Sequence, residues 1–333
     1  MSEVSRRVRL RDVADLAETS TKTASRVIND DPRVGSATRE RVEQAVLVLG
    51  YRPDPLARSL RRGTDDTIGV VVDEVSDPFF ASVIGEIERM ALDEGITVII
   101  ASTRRLADRE RIVIDGLLQR RVAGLIIASI SSSHTHLRSA PCPVVFIDRA
   151  AVGLDADAVL VDDLAGARMG VDHLIAHGHT RIAYVGDRQA IDTARDRLRG
   201  YRASLVAAGI SVRPELEVSV DPALPDGSAI VASLLALADP PTAIFSANTR
   251  CSLRVLPTLH RTGRTDVAFL SFGDFATAEA LTPAVSVIDH SPELIGRVAA
   301  ERLLRRMRGE QLPAQRLEAA LHVVPRGSGE VSP

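Results

Sequence analysis

The sequence predicts an α/β chain in three parts: a small all-α head, a short linker, and a body of two parallel α/β lobes. Three observations carry this. The 333 residues suffice for two or three domains, each able to bury a core. From residue 64 onward, apolar β-rich runs alternate with amphipathic helical stretches, as in parallel α/β sheets, whereas the first fifty residues carry three short helical patterns. Charge divides the same way: residues 1–62 hold thirteen Lys/Arg against nine Asp/Glu, a net +4 within a chain of net charge -3, which leaves -7 for the rest. A basic head on an acidic body points to a polyanion as the partner of the head alone.

In the head, Leu10, Val13, Leu16 and Ala17 fall at helical spacing. Ser20 then stands as an N-cap before TKTASRVI, whose Ala24, Val27 and Ile28 form a second apolar stripe. Two short helices joined by a three-residue turn make a helix-turn-helix. Ser36 is the expected cap of a third helix that ends before Gly50, with Val42, Ala45, Val46 and Leu49 facing inward. In such a unit the start of the second helix enters the major groove. That places Thr21, Lys22 and Arg26 at base edges and gives Ser20, Thr23 and Ser25 hydroxyls suited to phosphates, with Asn29 closing the set. Lys22 is the only lysine in the chain. The bland alternative makes Lys22 and Arg26 solvated charges on an exposed helix.

Residues 51–63, YRPDPLARSLRRG, give a capped start at Asp54-Pro55 and two helical turns. So short a helix is marginal alone and needs a partner, either its symmetry mate on DNA or its own protein. Leu60 among Arg58, Arg61 and Arg62 fits an apolar wedge in a minor groove with guanidinium groups on flanking phosphates.

Other classes are disfavoured by composition. Cys142 and Cys251 are the only cysteines and supply neither a disulfide framework nor a zinc site. The N-terminus lacks the apolar core of a signal peptide, and no stretch is long and apolar enough to span a membrane, so a cytoplasmic location is expected. No phosphate loop or dinucleotide fingerprint follows a strand, and no cofactor is expected. His173, His177 and His179 lack the partners of a metal motif, and neither a metal site nor catalysis is expected.

The body offers strands at Ile68–Val72, Val98–Ala101, Leu125–Ala128, Val144–Ile147, Ile182–Val185, Ala243–Phe245, Val267–Ser271 and Val285–Ile288. Open α/β sheets bind ligands at the carboxyl ends of their strands. There lie Asp73, Phe79, Phe80, Asp148, Arg149, Asn248, Phe272, Asp274, Phe275 and His290. Aromatic faces with a few convergent polar groups describe a pocket for a small polar molecule, core packing being the alternative for each Phe.

DVADLAETSTKTASRVIND, followed by PRVGSATRERVEQAVLVLGYRPDPLARSL, resembles the DNA-binding head and hinge of the LacI/GalR (lactose-repressor) family of bacterial transcriptional regulators. The likeness continues through IGVVVDEVSDPFF, VAGLIIAS, HLIAHGHTRIAYVGD and RLRGY and so spans nearly the whole chain. It implies a helix-turn-helix head at 1–50, a hinge at 51–63, and a type I periplasmic-binding-protein-like body at 64–333 crossed three times by the chain. The N-lobe would hold about 64–161 and 290–320, and the C-lobe about 162–289 and 321–330. By resemblance Thr21, Lys22 and Arg26 read bases, Leu60 pries open the central base step, and Arg197 bridges the cleft to an effector.

The implied function is a repressor that binds a pseudo-palindromic operator in double-stranded DNA as a homodimer, controlled by a small-molecule effector, a sugar or sugar derivative. The tail PRGSGEVSP is too short and too rich in Gly and Pro for a tetramerising coiled coil. A solute-binding protein or a regulator without a small-molecule response is the alternative; an α/β enzyme lacks a nucleophile or phosphate loop.

The chain also departs from the family pattern. Glu18-Thr19 replaces Gly-Val in the turn, Ala24 replaces a valine, and Asp54 replaces an asparagine. Asn248-Thr249 stands where sugar-binding members have Asn-Asp, and Gly273-Asp274 where they have Asp-Asp. With fewer carboxylates, Arg149, Arg250 and His290 raise the expectation of an anionic or phosphorylated ligand.

Overall fold

A computed structural model describes residues 8–28, 31–51, 66–220, 227–311 and 313–333. The chain divides into two compact units, residues 1–65 and 66–333.

In the first unit, α1 (Leu10–Leu16), α2 (Thr21–Ile28) and α3 (Ser36–Leu49) enclose Val13, Ala14, Ala17, Ala24, Val27, Val42 and Ala45. The Ser20 hydroxyl caps α2 by accepting from the Thr23 amide at 3.1 Å. Gly50, at φ 59°, ends α3 in the left-handed conformation. Two details differ from expectation. Gly35, not Ser36, is the N-cap of α3, and no side chain caps it. Leu16 is half exposed rather than inward, because Val13, Ala14 and Ala17 already fill the narrow face of so short a helix. Glu18 adopts φ 50°, the conformation a glycine would take without strain.

The second unit holds two six-stranded sheets. The N-lobe sheet contains β1 (Thr67–Val72), β2 (Thr97–Ser102), β3 (Gly124–Ala128), β4 (Val144–Ile147) and β5 (Asp157–Val161), and its order is β11-β5-β4-β3-β1-β2. The C-lobe sheet contains β6 (Ile182–Gly186), β7 (Glu217–Ser219), β8 (Ala243–Ser246), β9 (Ala268–Phe272) and β10 (Ser286–Asp289), ordered β12-β10-β9-β8-β6-β7. Strands β11 (Arg316–Ala319) and β12 (His322–Val324) are consecutive in sequence yet join different sheets. The chain therefore passes between lobes three times: after β5, after β10 and after β11. Every pairing is parallel except β10 with β12.

Helices cover both faces of each sheet. In the N-lobe these are α4 (Pro78–Asp93), α5 (Ala107–Gln119) and α10 (Pro292–Met307); in the C-lobe, α6 (Asp163–Ala176), α7 (Asp192–Ala207), α8 (Gly227–Leu235) and α9 (Thr249–Arg261). Strands buried on both faces explain the nearly unbroken apolar runs of β1, β3 and β6. The four strands not anticipated, β5, β7, β11 and β12, carry polar or charged residues, and three of them lie at sheet edges, where one side needs no apolar cover. No helix among the described residues is long and apolar enough to cross a membrane.

Candidate functional site

In the head, Thr21 and Lys22 open α2 and are exposed, Thr23 and Ser25 are half-buried, and Arg26 is exposed one turn later. The Ser20 hydroxyl accepts from the Thr23 amide at 3.1 Å and shares a 2.9 Å hydrogen bond with the Thr23 hydroxyl, which fixes the first turn of α2. Arg26 has one distant carboxylate neighbour, Asp31 at 3.9 Å, and Asp31 is engaged more closely by Arg33 at 2.8 Å. That arginine's hydrogen bonds hold the Asp31 carboxyl down at about 2. Asn29, Arg58 and Leu60 lie outside the described residues.

In the body, the carboxyl ends of both sheets converge on a narrow inter-lobe cleft with a cavity volume of about 50 Å³. Asp73 follows β1, Phe79 and Phe80 form the first turn of α4, and Asp148 and Arg149 follow β4. Opposite them stand Arg197 on α7, Asn248 capping α9, Phe272 ending β9, and His290 beyond β10. The aromatic rings form one platform. His290 stacks on Phe79 at 5.0 Å between centroids and meets Phe272 edge-on at 5.5 Å. Arg197 lies 3.9 Å over the Phe272 ring.

The arginines around the cleft are each hydrogen-bonded to a carboxyl group. Arg149 donates to Asp73 at 2.7 Å and lies 3.4 Å from Asp148. Arg197 donates to Asp163 at 2.6 Å and to the Ala247 carbonyl at 2.6 Å. Arg105 and Arg250 both bind Asp187. Burial drives the pKa values. It pushes the Asp163 carboxyl up to about 7, over the opposing charge of Arg197, and pushes His290 down to about 3, so that ring is neutral. Burial likewise raises Asp73 and Asp77. Among the described residues, Asp73 Oδ1, Arg149 Nε and His290 Nδ1 are buried without a hydrogen-bond partner. Such groups are costly unless a ligand or water meets them.

Asp274 is a correction. Both its oxygens accept from Arg326, at 2.8 and 2.5 Å, and it does not line the cleft. Gly273, at φ 94°, turns the chain away before it, and a Cβ at 273 would meet Thr249 at 2.9 Å and His290 at 3.1 Å. The Thr249 methyl and the His290 ring thus take the space that a side chain at 273 would need. Phe275 belongs to the C-lobe core rather than the cleft. The arginines offered as anion sites, Arg149 and Arg250, are both taken by carboxylates.

Sequence reasoning missed Asp77, Arg105, Asp163 and Asp187. Each follows a strand, β1, β2, β5 or β6, so the carboxyl-end rule applied to every strand finds them. It also missed a buried trio in the N-lobe: His134 Nε2 faces Ser129 Oγ at 2.6 Å and Glu110 Oε1 at 3.1 Å. Both partners share one nitrogen, while Nδ1 accepts from the Val152 amide, so the trio pins α5 to the loop after β3 and has no relay geometry. His173, His177 and His179 are spent on hydrogen bonds: to Glu330, to the His173 carbonyl, and to Thr242 and the Val331 carbonyl respectively.

Residues 9–54 match the model of the lacI family of bacterial regulatory proteins, and residues 171–329 match that of a periplasmic binding protein-like domain. The chain is 31% identical over 326 residues to the ribose operon repressor of Escherichia coli K12, covering 96% of this chain and 99% of that one. The chain belongs to the LacI family. This LacI-family chain is also 30% identical to the CytR transcriptional repressor of the same strain, over 97% of each chain. Among solved structures, the lac repressor dimer bound to operator and an anti-inducer aligns with a TM-score of 0.83 at 26% identity, covering 97% of this chain and 99% of that one. As a LacI-family member it is a DNA-binding transcriptional regulator, with a helix-turn-helix head and a periplasmic-binding-protein-like body.

Proposed function

We propose that the chain is a repressor which binds a pseudo-palindromic operator as a homodimer, one α2 per half-site, and releases or engages it in response to a neutral, monosaccharide-sized polyol held between the lobes. Lys22 and Arg26 supply the base contacts, with Thr21, Thr23 and Ser25 setting register on phosphates. Such a regulator works in the cytoplasm and as a binding protein rather than an enzyme.

The observation that carries the ligand class is the state of charge in the cleft. With each guanidinium already bound to a carboxylate and His290 neutral, an added phosphate meets no free cation. Among the described residues lining the cleft, one carboxylate oxygen on Asp73, one N–H on Arg149 and one ring nitrogen on His290 stand without a partner beside an aromatic platform, which suits hydroxyls on one face of a ring and C–H groups on the other. Effector control follows as a coupling free energy: a ligand that prefers one arrangement of the lobes changes DNA affinity by the same factor that DNA changes its own.

The test is a fluorescence-anisotropy titration of DNA from the protein's own upstream region, with ribose, glucose and ribose 5-phosphate added in turn. Ribose comes first because the E. coli ribose operon repressor is a relative. A specific complex altered by a neutral sugar and not by the phosphate supports the reading. Tighter coupling to the phosphate overturns the ligand class, and equal affinity for scrambled DNA overturns the regulator.

A further inference from the structure

We propose that Arg105 and Asp187 form a clasp across the rim of the cleft, one that fastens the two lobes and makes Arg105 a determinant of the ligand size the cleft admits. This rests on the reading of the cleft as a small-molecule site only for its size consequence. Arg105 belongs to the N-lobe, in the turn between β2 and α5; Asp187 belongs to the C-lobe, directly after β6. Arg105 Nη2 donates to Asp187 Oδ2 at 2.8 Å, and the side chains are 14% and 9% exposed. Their neighbours Arg104, Leu106 and Arg188 are exposed, which puts the pair where the cleft opens to solvent.

Asp187 is engaged at both of its oxygens. Its Oδ2 also accepts from Asn248 Nδ2 at 2.8 Å, and its Oδ1 is bound by Arg250. Burial works to raise this carboxyl, but the charges of Arg105 and Arg250 outweigh it and hold the group below the usual carboxylate range, ionised. Asn248 and Arg250 thus fix an anion in place, and Arg105 reaches it from the other lobe. A second bond, from Thr249 Oγ1 to Asp77 Oδ1 at 3.2 Å, joins the same two lobes.

The backbone gives independent support. Arg104 and Arg105 adopt φ values of 52° and 62°, two consecutive non-glycine residues in the left-handed region. Strain of this kind persists where surrounding contacts over-determine it, and it gathers at ligand clamps. The Arg105 amide is held by Thr103 Oγ1 at 3.1 Å, and Thr103 is fully buried, so the turn aims the guanidinium across the cleft from a rigid base. With the clasp shut the cleft is closed at this point of its rim, so a ligand too large to lie within it has to displace Arg105.

The test uses the full chain with spin labels at Asp108→Cys in the N-lobe and Ala190→Cys in the C-lobe, both exposed positions, in a Cys142→Ser background; Cys251 is fully buried. Double electron–electron resonance is recorded after dilution with excess unlabelled chain, so that each distance lies within one chain. Arg105→Ala shifts the distribution to longer distances while circular dichroism stays native; an unchanged distribution overturns the clasp. Thermal shifts with ribose, glucose and cellobiose form the second arm. Arg105→Ala gains a response to cellobiose that the parent chain lacks, and a cellobiose response in the parent chain overturns the size limit. If the distance lengthens while no sugar shifts either protein, the clasp stands and the fault lies in the sugar reading.

Discussion

On the head, Lys22 is exposed and has no ion-pair partner among the described residues, and Arg26 has only a carboxylate 3.9 Å away that is already engaged. In the cleft, Arg105, Arg149, Arg197 and Arg250 are each held by a carboxylate and nearly removed from solvent. The same residue chemistry is thus used in opposite ways. A surface that meets a polyanion keeps its cations free and hydrated, so that phosphates can displace counterions. On the proposed reading, a pocket for an uncharged ligand satisfies its own charged groups first, because an unpaired guanidinium in a closed cleft costs more than a sugar can return.

The sharpest way to break this contrast is Arg197→Ala. The arginine is 8% exposed, and its removal strands Asp163 in a buried site. Loss of one partner from a buried pair costs about 3–5 kcal/mol. Chemical denaturation followed by circular dichroism should show that loss in the body. A cost near that of a surface pair, below about 1 kcal/mol, means the cleft is more open to water than its geometry implies.

On the head, Lys22→Ala should reduce discrimination between the operator and scrambled DNA by about 1–3 kcal/mol, the worth of a good base contact. Parallel anisotropy titrations measure it. An equal loss of affinity for both DNAs makes Lys22 a phosphate contact instead.

The cleft also carries two opposed pH dependences. His290 titrates at about 3 in the folded chain against an ordinary 6.5, so below that value only the unfolded state takes the proton and stability falls with pH. Asp163 titrates at about 7 against 3.8, so in that window the folded state keeps a proton the unfolded state has lost, and stability falls as pH rises. Each slope is at most about 1.4 kcal/mol per pH unit, and between about pH 4 and 6.5 they offset one another. Asp163→Asn should therefore expose a loss of stability from pH 6.5 to 5, and His290→Asn a gain. Denaturation midpoints at both pH values check the signs; like signs in the two variants contradict the assignment.

The smallest effect sharpens the head. Glu18 sits at φ 50° in the turn before α2, and Glu18→Gly should stabilise the head by about 0.5–1 kcal/mol by relieving strain. Hydrogen exchange of α1 and α2 amides in the full chain reads this directly. Unchanged exchange shows the turn to be unstrained.

The head was legible because its signals are local: helical spacing, the Ser20 cap and Gly50 at the end of α3 all act within a few residues. The central strands were legible because burial on both faces leaves long apolar runs. Strands β11 and β12 were not, since three or four residues at a sheet edge are too few for even the polar–apolar alternation of β11 to stand out. In the cleft, the strand-end rule located Asp73, Asp148 and Asn248, but Asp274 misled it because Gly273 reverses the chain one residue earlier. Arg105 lies just after β2, where the same rule applied to every strand points, but in a chain where 40 of 41 Lys and Arg residues are arginine its pairing shows only once the lobes bring it to Asp187.

The most direct test of the contrast between a head with free cations and a cleft with matched ones is the salt dependence of the intact protein's affinity for its own upstream DNA. Affinity should fall about 10³-fold or more between roughly 50 and 200 mM salt, as free Lys and Arg side chains release counterions from six or more phosphates. An affinity that is nearly flat over that range contradicts the account, because the exposed cations of the head would then not be meeting phosphates.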